Sequence, residues 1–224
     1  DAMKSARARR ETYPGPWLPE PLIEPADEEM RADNITLTLM VALERLSPLE
    51  RAAFLLHDVF DQPLDDVAAT LKRSPAATRQ LAARARAHVR IDQPRYAIVR
   101  KDGEALTRAF FEACRLGDAA ALGSMLAADV TLRSDGGGKV LAFPNAIHGA
   151  DRLVRLYLGL SRKLGARMDY LGPVVIDGLP GFLSRVDGHL QTTAVEIAAG
   201  RIAAIYITRN PDKLGGLPNP PAAG

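Results

Sequence analysis

The stretch "LSPLERAAFLLHDVFDQPLDDVAATLKRSPAATRQLAARARAHV", Leu46 to Val89, contains two helix starts of one kind. Ser47 and Ser74 are each followed directly by a proline, Pro48 and Pro75, and Glu50 stands three residues after Ser47, where a capping box needs it. The first start predicts a helix with Leu49, Ala53, Leu56 and Phe60 on its inner face. Leu64, Val67, Ala68 and Leu71 predict a short helix after it, and Ser74 opens another that runs through Arg90. Upstream, Ile35, Leu39, Ala42 and Leu46 repeat the three-to-four spacing of a buried face. Four short helices with turns of a few residues make a compact all-α domain, placed at 34–95. The last two, joined around Lys72–Pro75, have the length and turn spacing of a helix-turn-helix.

The final helix carries the chemistry. At about 100° per residue, Arg79, Arg86 and Arg90 fall within roughly 20° of one line, while Thr78, Leu81, Ala85 and Val89 lie on the other side. Between the arginines the outer face is mostly Ala76, Ala83 and Ala87, with Gln80 at its edge. From Ser74 to Arg90 there are four arginines and no acid, in a chain whose net charge is only +2. Small side chains let a helix approach a groove closely, and guanidinium forks suit guanine edges and phosphates, so this face points to nucleic acid. His88 reads as a surface histidine.

Outside this domain, "YPGPWLPEPL" (Tyr13 to Leu22) holds four prolines and the single tryptophan, Trp17. Proline fixes its own φ and excludes helix from the residue before it, so the segment is an extended linker. The isolated indole predicts docking in a groove, at reduced entropic cost because the prolines stiffen the chain. The "DAMKSARARR" opening reads as the end of a longer, basic helix. Beyond an inter-domain joint at "IDQPRYAIVRKDG", two helices broken at Gly117 and Asp118 are expected, then a strand, glycine turn and strand in "DVTLRSDGGGKVLAF", then a helix on Leu153, Leu156, Leu160 and Leu164. Four β-like runs follow, and "GGLPNPPAAG" reads as a loose tail. Helices followed by an antiparallel sheet predict an α+β domain over 96–214, with 1–33 as linker and 215–224 as tail. One cysteine, Cys114, excludes an intramolecular disulfide. The N-terminus has no signal-peptide layout, no apolar run reaches the ~20 residues that span a bilayer, and a cytoplasmic protein without membrane contact is expected.

The stretch from Leu46 to Val89 resembles region four of extracytoplasmic-function (ECF) sigma factors, through "LSPLERAAFLLHDVF", "DDVA" and "RSPAATRQLAARAR". With "WLPEP" (Trp17, Leu18, Pro19, Glu20, Pro21), "DGGGK" (Asp135, Gly136, Gly137, Gly138, Lys139) and "NPDKL" (Asn210, Pro211, Asp212, Lys213, Leu214), nearly the whole chain resembles the sigma-J-like subgroup, which carries a C-terminal SnoaL-like domain. The resemblance implies a helix-turn-helix domain followed by a cone-shaped α+β domain. It implies promoter minus-35 DNA and core RNA polymerase as partners, and DNA contacts at Ser74, Thr78, Arg79, Gln80, Arg84 and Arg86, to which the periodicity adds Arg90. It makes the two C-terminal motifs regulatory, acting in cis on the linker and on region two. Region two is expected to be missing from this chain, with Asp1–Arg10 as its tail. Pro14 stands where the family pattern usually has a small aliphatic residue.

"DGGGKV" is not a phosphate loop, since Val140 follows the lysine and is expected to begin a strand. For the SnoaL-like domain, Asp135, His148, Tyr157, Asp169, His189 and Tyr206 are the candidates for acid–base chemistry, but they form no recognisable motif. No catalytic residue, metal site or cofactor is expected: His57, His88, His148 and His189 lack ligand spacing, and Cys114 has no sulfur partner. Two alternatives stay open, a sensor with a small-molecule ligand in the SnoaL-like pocket, and a cyclase- or isomerase-like enzyme fused to a DNA-binding module.

Overall fold

The computed structural model describes residues 13–24, 40, 42–44, 46–92 and 100–217. The expected helix end before residue 11, most of the helix expected from Ile35, the joint from Gln93 to Val99 and the last seven residues lie outside them. The chain forms two compact units, one from Ile35 to Gln93, the other combining Asp1–Asn34 with Pro94–Gly224. The proline-rich linker therefore packs as part of the C-terminal unit.

In the helical unit, α1 (Pro48–Phe54) has the capping box: Ser47 accepts from the Glu50 amide while the Glu50 carboxylate accepts from the Ser47 amide at 3.1 Å and its hydroxyl at 2.7 Å. The helix does not continue in α geometry. Leu55–Val59 form a π turn, closed by Phe60 N donating to Leu55 O at 2.9 Å. An extra residue in that turn displaces every later side chain from the α-helical face. Phe60, expected inside, is consequently 67% exposed, and Phe54 takes the core place beside Ala53. Then follow α2 (Leu64–Leu71), with Val67 and Ala68 buried, and α3 (Pro75–Asp92). The core of this unit joins Ala42, Leu43, Leu46 and Phe54 to Ala85 and Val89 of α3.

In the other unit, α4 (Arg100–Leu116) and α5 (Ala119–Met125) are separated at Gly117, and Asp118 caps α5 through the Ala121 amide. Both helices and α6 (Ala150–Leu164) pack on a seven-stranded sheet of order β1-β4-β5-β6-β7-β2-β3. Its strands are β1 (Ile23–Glu24), β2 (Leu126–Asp135), β3 (Ile147–His148), β4 (Met168–Ile176), β5 (Leu179–Val186), β6 (His189–Ala198) and β7 (Arg201–Thr208). All neighbours are antiparallel except β2 and β7. Phe110, Phe111, Leu122, Leu132, Leu153 and Ile205, with the buried Cys114, belong to a single core between helices and sheet. On α6 the buried positions are Leu153 and Tyr157, so the inward face lies to one side of the expected leucine row.

The glycine segment departs from the expected hairpin. Val140 begins no strand, because Lys139 N and Val140 N both turn back to Gly136 O at 3.0 and 3.1 Å. The chain then runs as a loop through Pro144 to the two-residue β3, whose Ile147 and His148 pair with Leu132 and Thr131.

A recognition-helix face and a linker clamp

On α3 the outer face is open. Ser74 Oγ caps the helix by accepting from Ala77 N at 3.2 Å, and Arg79, Gln80, Ala76, Ala83 and Ala87 are exposed. Thr78 departs from the expected set of DNA contacts: it is fully buried, and its hydroxyl donates to Ser74 O at 3.1 Å. One turn before the buried Ala82 and two before Ala85, it lies on the packing side of the helix, as the periodicity alone indicates. Arg84 is 61% exposed, with Glu50 at 3.7 Å, and Arg86 pairs with Asp58 at 2.5 Å. The Arg90 side chain lies outside the described residues.

The second arrangement is built on Asp135, the last residue of β2, which has no solvent exposure. Oδ1 of its carboxylate accepts from the Tyr13 hydroxyl at 2.5 Å and from Gly137 N at 3.0 Å. Oδ2 accepts from Leu18 N at 2.9 Å and from Lys213 Nζ at 2.7 Å. A carboxylate offers about four lone-pair sites, and all are used. The Asp135 carbonyl meanwhile accepts from Arg209 N and Asn210 N, at 2.7 and 3.0 Å. One residue thus ties the linker, the glycine loop and the start of α7 (Pro211–Leu214) together.

Lys213 closes the clamp. Its ammonium also donates to the Leu18 carbonyl and lies over two rings of the linker, 4.4 Å from the centre of Trp17 and 5.0 Å from that of Tyr13. A cation over an aromatic face is favourable, more so when desolvated. Asn210 caps α7 by accepting from Asp212 N and donates to the Tyr13 hydroxyl at 3.0 Å. Burial, then the neighbouring Asp135 carboxylate, pushes the Tyr13 phenol well above its ordinary value, so it stays a donor. On the rim, Lys139 pairs with Asp212 at 2.6 Å, joining the glycine loop to α7.

The three glycines now have separate reasons. A Cβ on Gly136 would lie 2.1 Å from Val140 O; on Gly137, 2.4 Å from the Asn210 side chain; on Gly138, 2.7 Å from Pro14 Cγ. Gly137 and Gly138 also have φ of +60° and +72°. Beyond the clamp, Leu22 and Asp177 exchange hydrogen bonds, and Ile23 and Glu24 add an edge strand to β4 at Ile176 and Val175.

The linker's anchor is also not the one expected. Trp17 is 39% exposed, whereas Leu18 is 1% exposed. Leu18 goes inward because its amide and carbonyl are held by Asp135 and Lys213, which leaves the indole to cover the lysine from outside. Pro21 is buried, Pro19 half-buried and Glu20 exposed; Leu214 is buried and Pro211 exposed.

The acid–base candidates do not converge. His148, Asp169 and His189 are exposed, Tyr157 is buried with its ring edge-on to Phe110, and Tyr206 donates to Glu196. Asp135 does form an Asp–Tyr pair, with Tyr13, but an enclosed one. Among the described residues no group of three or more potential ligands could hold a metal ion, and no helix is long and apolar enough to cross a membrane.

Comparison with known proteins follows the same division. Residues 36–89 match the family model "Sigma-70, region 4". The chain is 36% identical over 242 residues to the ECF RNA polymerase sigma factor SigJ of Mycobacterium tuberculosis, covering 97% of this chain and 75% of that one. This chain belongs to the ECF RNA polymerase sigma factors. The crystal structure of the M. tuberculosis SigJ matches this sigma factor with a TM-score of 0.73 at 32% identity, covering 94% of this chain and 78% of that one. The probable ECF RNA polymerase sigma factor SigI of the same organism is 32% identical over 87% of this chain and 65% of its own length. The helical unit of this sigma factor is region four, and the sheet-containing unit is its α+β SnoaL-like domain.

Sequence reasoning placed Asp135, Asn210 and Lys213 in motifs but missed Tyr13, their partner in the linker. The one available signal was a tyrosine four residues before the tryptophan in a segment too proline-rich to form its own core.

Proposed function

We propose that region four of this sigma factor recognises the promoter minus-35 element through α3 and binds RNA polymerase, and that the SnoaL-like domain regulates transcription initiation in cis by holding the linker. The observation that carries the regulatory part is the buried Asp135 carboxylate, which takes one donor from the glycine motif, one from the C-terminal motif and two from the linker. A linker fixed along its length restricts how the promoter-binding regions on either side of it can be spaced. Release of the clamp shifts the chain between a restrained and a freer population. In the whole protein, contact of this domain with region two belongs to the same reading.

The DNA-reading part rests on Ser74, Arg79 and Gln80 at the exposed N-terminal half of α3, where a recognition helix meets base edges. Arg84, Arg86 and Arg90 are assigned to phosphates or the groove margin. Binding of this chain to duplexes carrying candidate minus-35 sequences and to scrambled controls, at several salt concentrations, tests it. Arg79→Ala is expected to remove ~1–3 kcal/mol of the sequence preference. Equal binding to all duplexes by both proteins would remove the reading. Lys213→Met tests the regulatory part, with transcription driven by the full-length sigma factor and polymerase as the readout; an unchanged output would sink it.

A further inference from the structure

We propose that Asp58 is a positioning residue for DNA binding: it holds the Arg86 guanidinium by its Nε so that the terminal nitrogens of the fork meet a backbone phosphate in a fixed orientation. The inference deepens the reading of α3 as the DNA-facing helix and rests on it.

The two residues are 28 apart in sequence, and Nε meets Asp58 Oδ1 at 2.5 Å, with the side chains 37% and 21% exposed. An end-on, two-pronged grip on phosphate uses one N–H from each terminal nitrogen and leaves Nε free, so a carboxylate at Nε steers the group without using up that fork. The partner arginine contrasts with it: Arg84 is 61% exposed, and its acid, Glu50, lies 3.7 Å away and is committed to the Ser47 cap. Asp58 sits in the π turn Leu55–Val59, which is closed at Phe60 and braced by His57 Nδ1 against Gln62 O at 2.8 Å. Such turns are rare and often serve a functional site. Here the turn puts Asp58 against α3 and leaves Phe60 67% exposed, an arrangement that core packing alone does not favour.

The test is binding of the chain to a minus-35 duplex and a scrambled duplex over about 50 to 200 mM salt, for wild type, Asp58→Asn, Arg86→Ala and the double variant. Asp58→Asn is expected to weaken binding to both duplexes several-fold and to lower the slope of log K against log salt by about one phosphate contact, as Arg86→Ala does. The double variant is expected to bind no more weakly than Arg86→Ala alone. Removing a negative charge by itself would tighten binding, so an equal or higher affinity of Asp58→Asn overturns the proposal. Additive losses overturn it too, as does a loss of thermal stability with an unchanged salt slope. If Arg79→Ala also leaves the sequence preference unaltered, the reading of α3 fails; if it abolishes the preference while Asp58→Asn changes nothing, only the role of Asp58 fails.

Discussion

Lys213 Nζ lies 2.7 Å from Asp135 Oδ2, across 78 residues of chain, with the carboxylate wholly buried and the lysine side chain 13% exposed. Losing one partner of such a pair leaves the other charge desolvated and unpaired, which costs ~3–5 kcal/mol in typical proteins. Lys213→Met keeps the length and the contact with the Trp17 and Tyr13 rings but loses the charge. The expected outcome is a lower unfolding midpoint and faster proteolysis within Tyr13–Leu22, with a similar result for Asp135→Asn. The double variant is expected to lose less than the sum of the two, since both substitutions remove one interaction.

Leu18, rather than Trp17, should dominate the hold on the linker. Leu18→Ala is expected to cost ~2–5 kcal/mol, as for other fully buried leucines. Trp17→Ala removes a half-exposed ring and one cation–π contact, for which ~0.5–2 kcal/mol is ordinary. Denaturant midpoints of the two variants settle the order; a larger loss at Trp17 would contradict the packing seen here.

Gly138 and Pro14 form a pair. Gly138→Ala brings its Cβ to 2.7 Å from Pro14 Cγ at a φ of +72°, so both a clash and backbone strain result. In combination with Pro14→Ala the clash is relieved and only the strain remains, of order 1–2 kcal/mol. Thermal unfolding should show the double variant more stable than Gly138→Ala alone. Were the two effects simply additive, the contact between linker and glycine loop would have no energetic weight.

Acid stability reports on region four. The hydrogen bond from Ser47 holds the Glu50 carboxyl below the usual carboxylate value. A group with a lowered value in the folded state contributes above its unfolded value, about 4.3 for Glu, and loses that contribution as the pH falls through the folded value. Wild type is therefore expected to exceed Glu50→Gln in thermal stability at pH 7, with the gap closing toward pH 3. A gap that persists unchanged at pH 3 would show that the capping box owes nothing to the charge of Glu50.

The helical domain was legible because its signals are local. Ser47, Pro48, Glu50 and the Ser74–Pro75 start act within one turn, and the side of α3 that carries Ala85 and Val89 follows from helical period alone. Phe60 was misplaced because period assumes α geometry, and the chain instead takes a π turn at Leu55–Val59, which no spacing of apolar residues announces. Thr78 shows the reverse, since its burial agrees with the period and disagrees with the contact set carried over from the family.

What the sequence by itself determined is the order of the domains, the extended character of the proline segment and the motifs at Asp135–Lys139 and Asn210–Leu214. Only the tertiary structure decided what those motifs contact. Tyr13, Leu18, Asp135 and Lys213 are separated by up to 200 positions, and nothing in the spacing of a chain specifies which distant donor a carboxylate will take. The choice is made by burial: once Asp135 is enclosed at the end of β2, its carboxylate needs hydrogen-bond donors in place of water, and the linker supplies two of them.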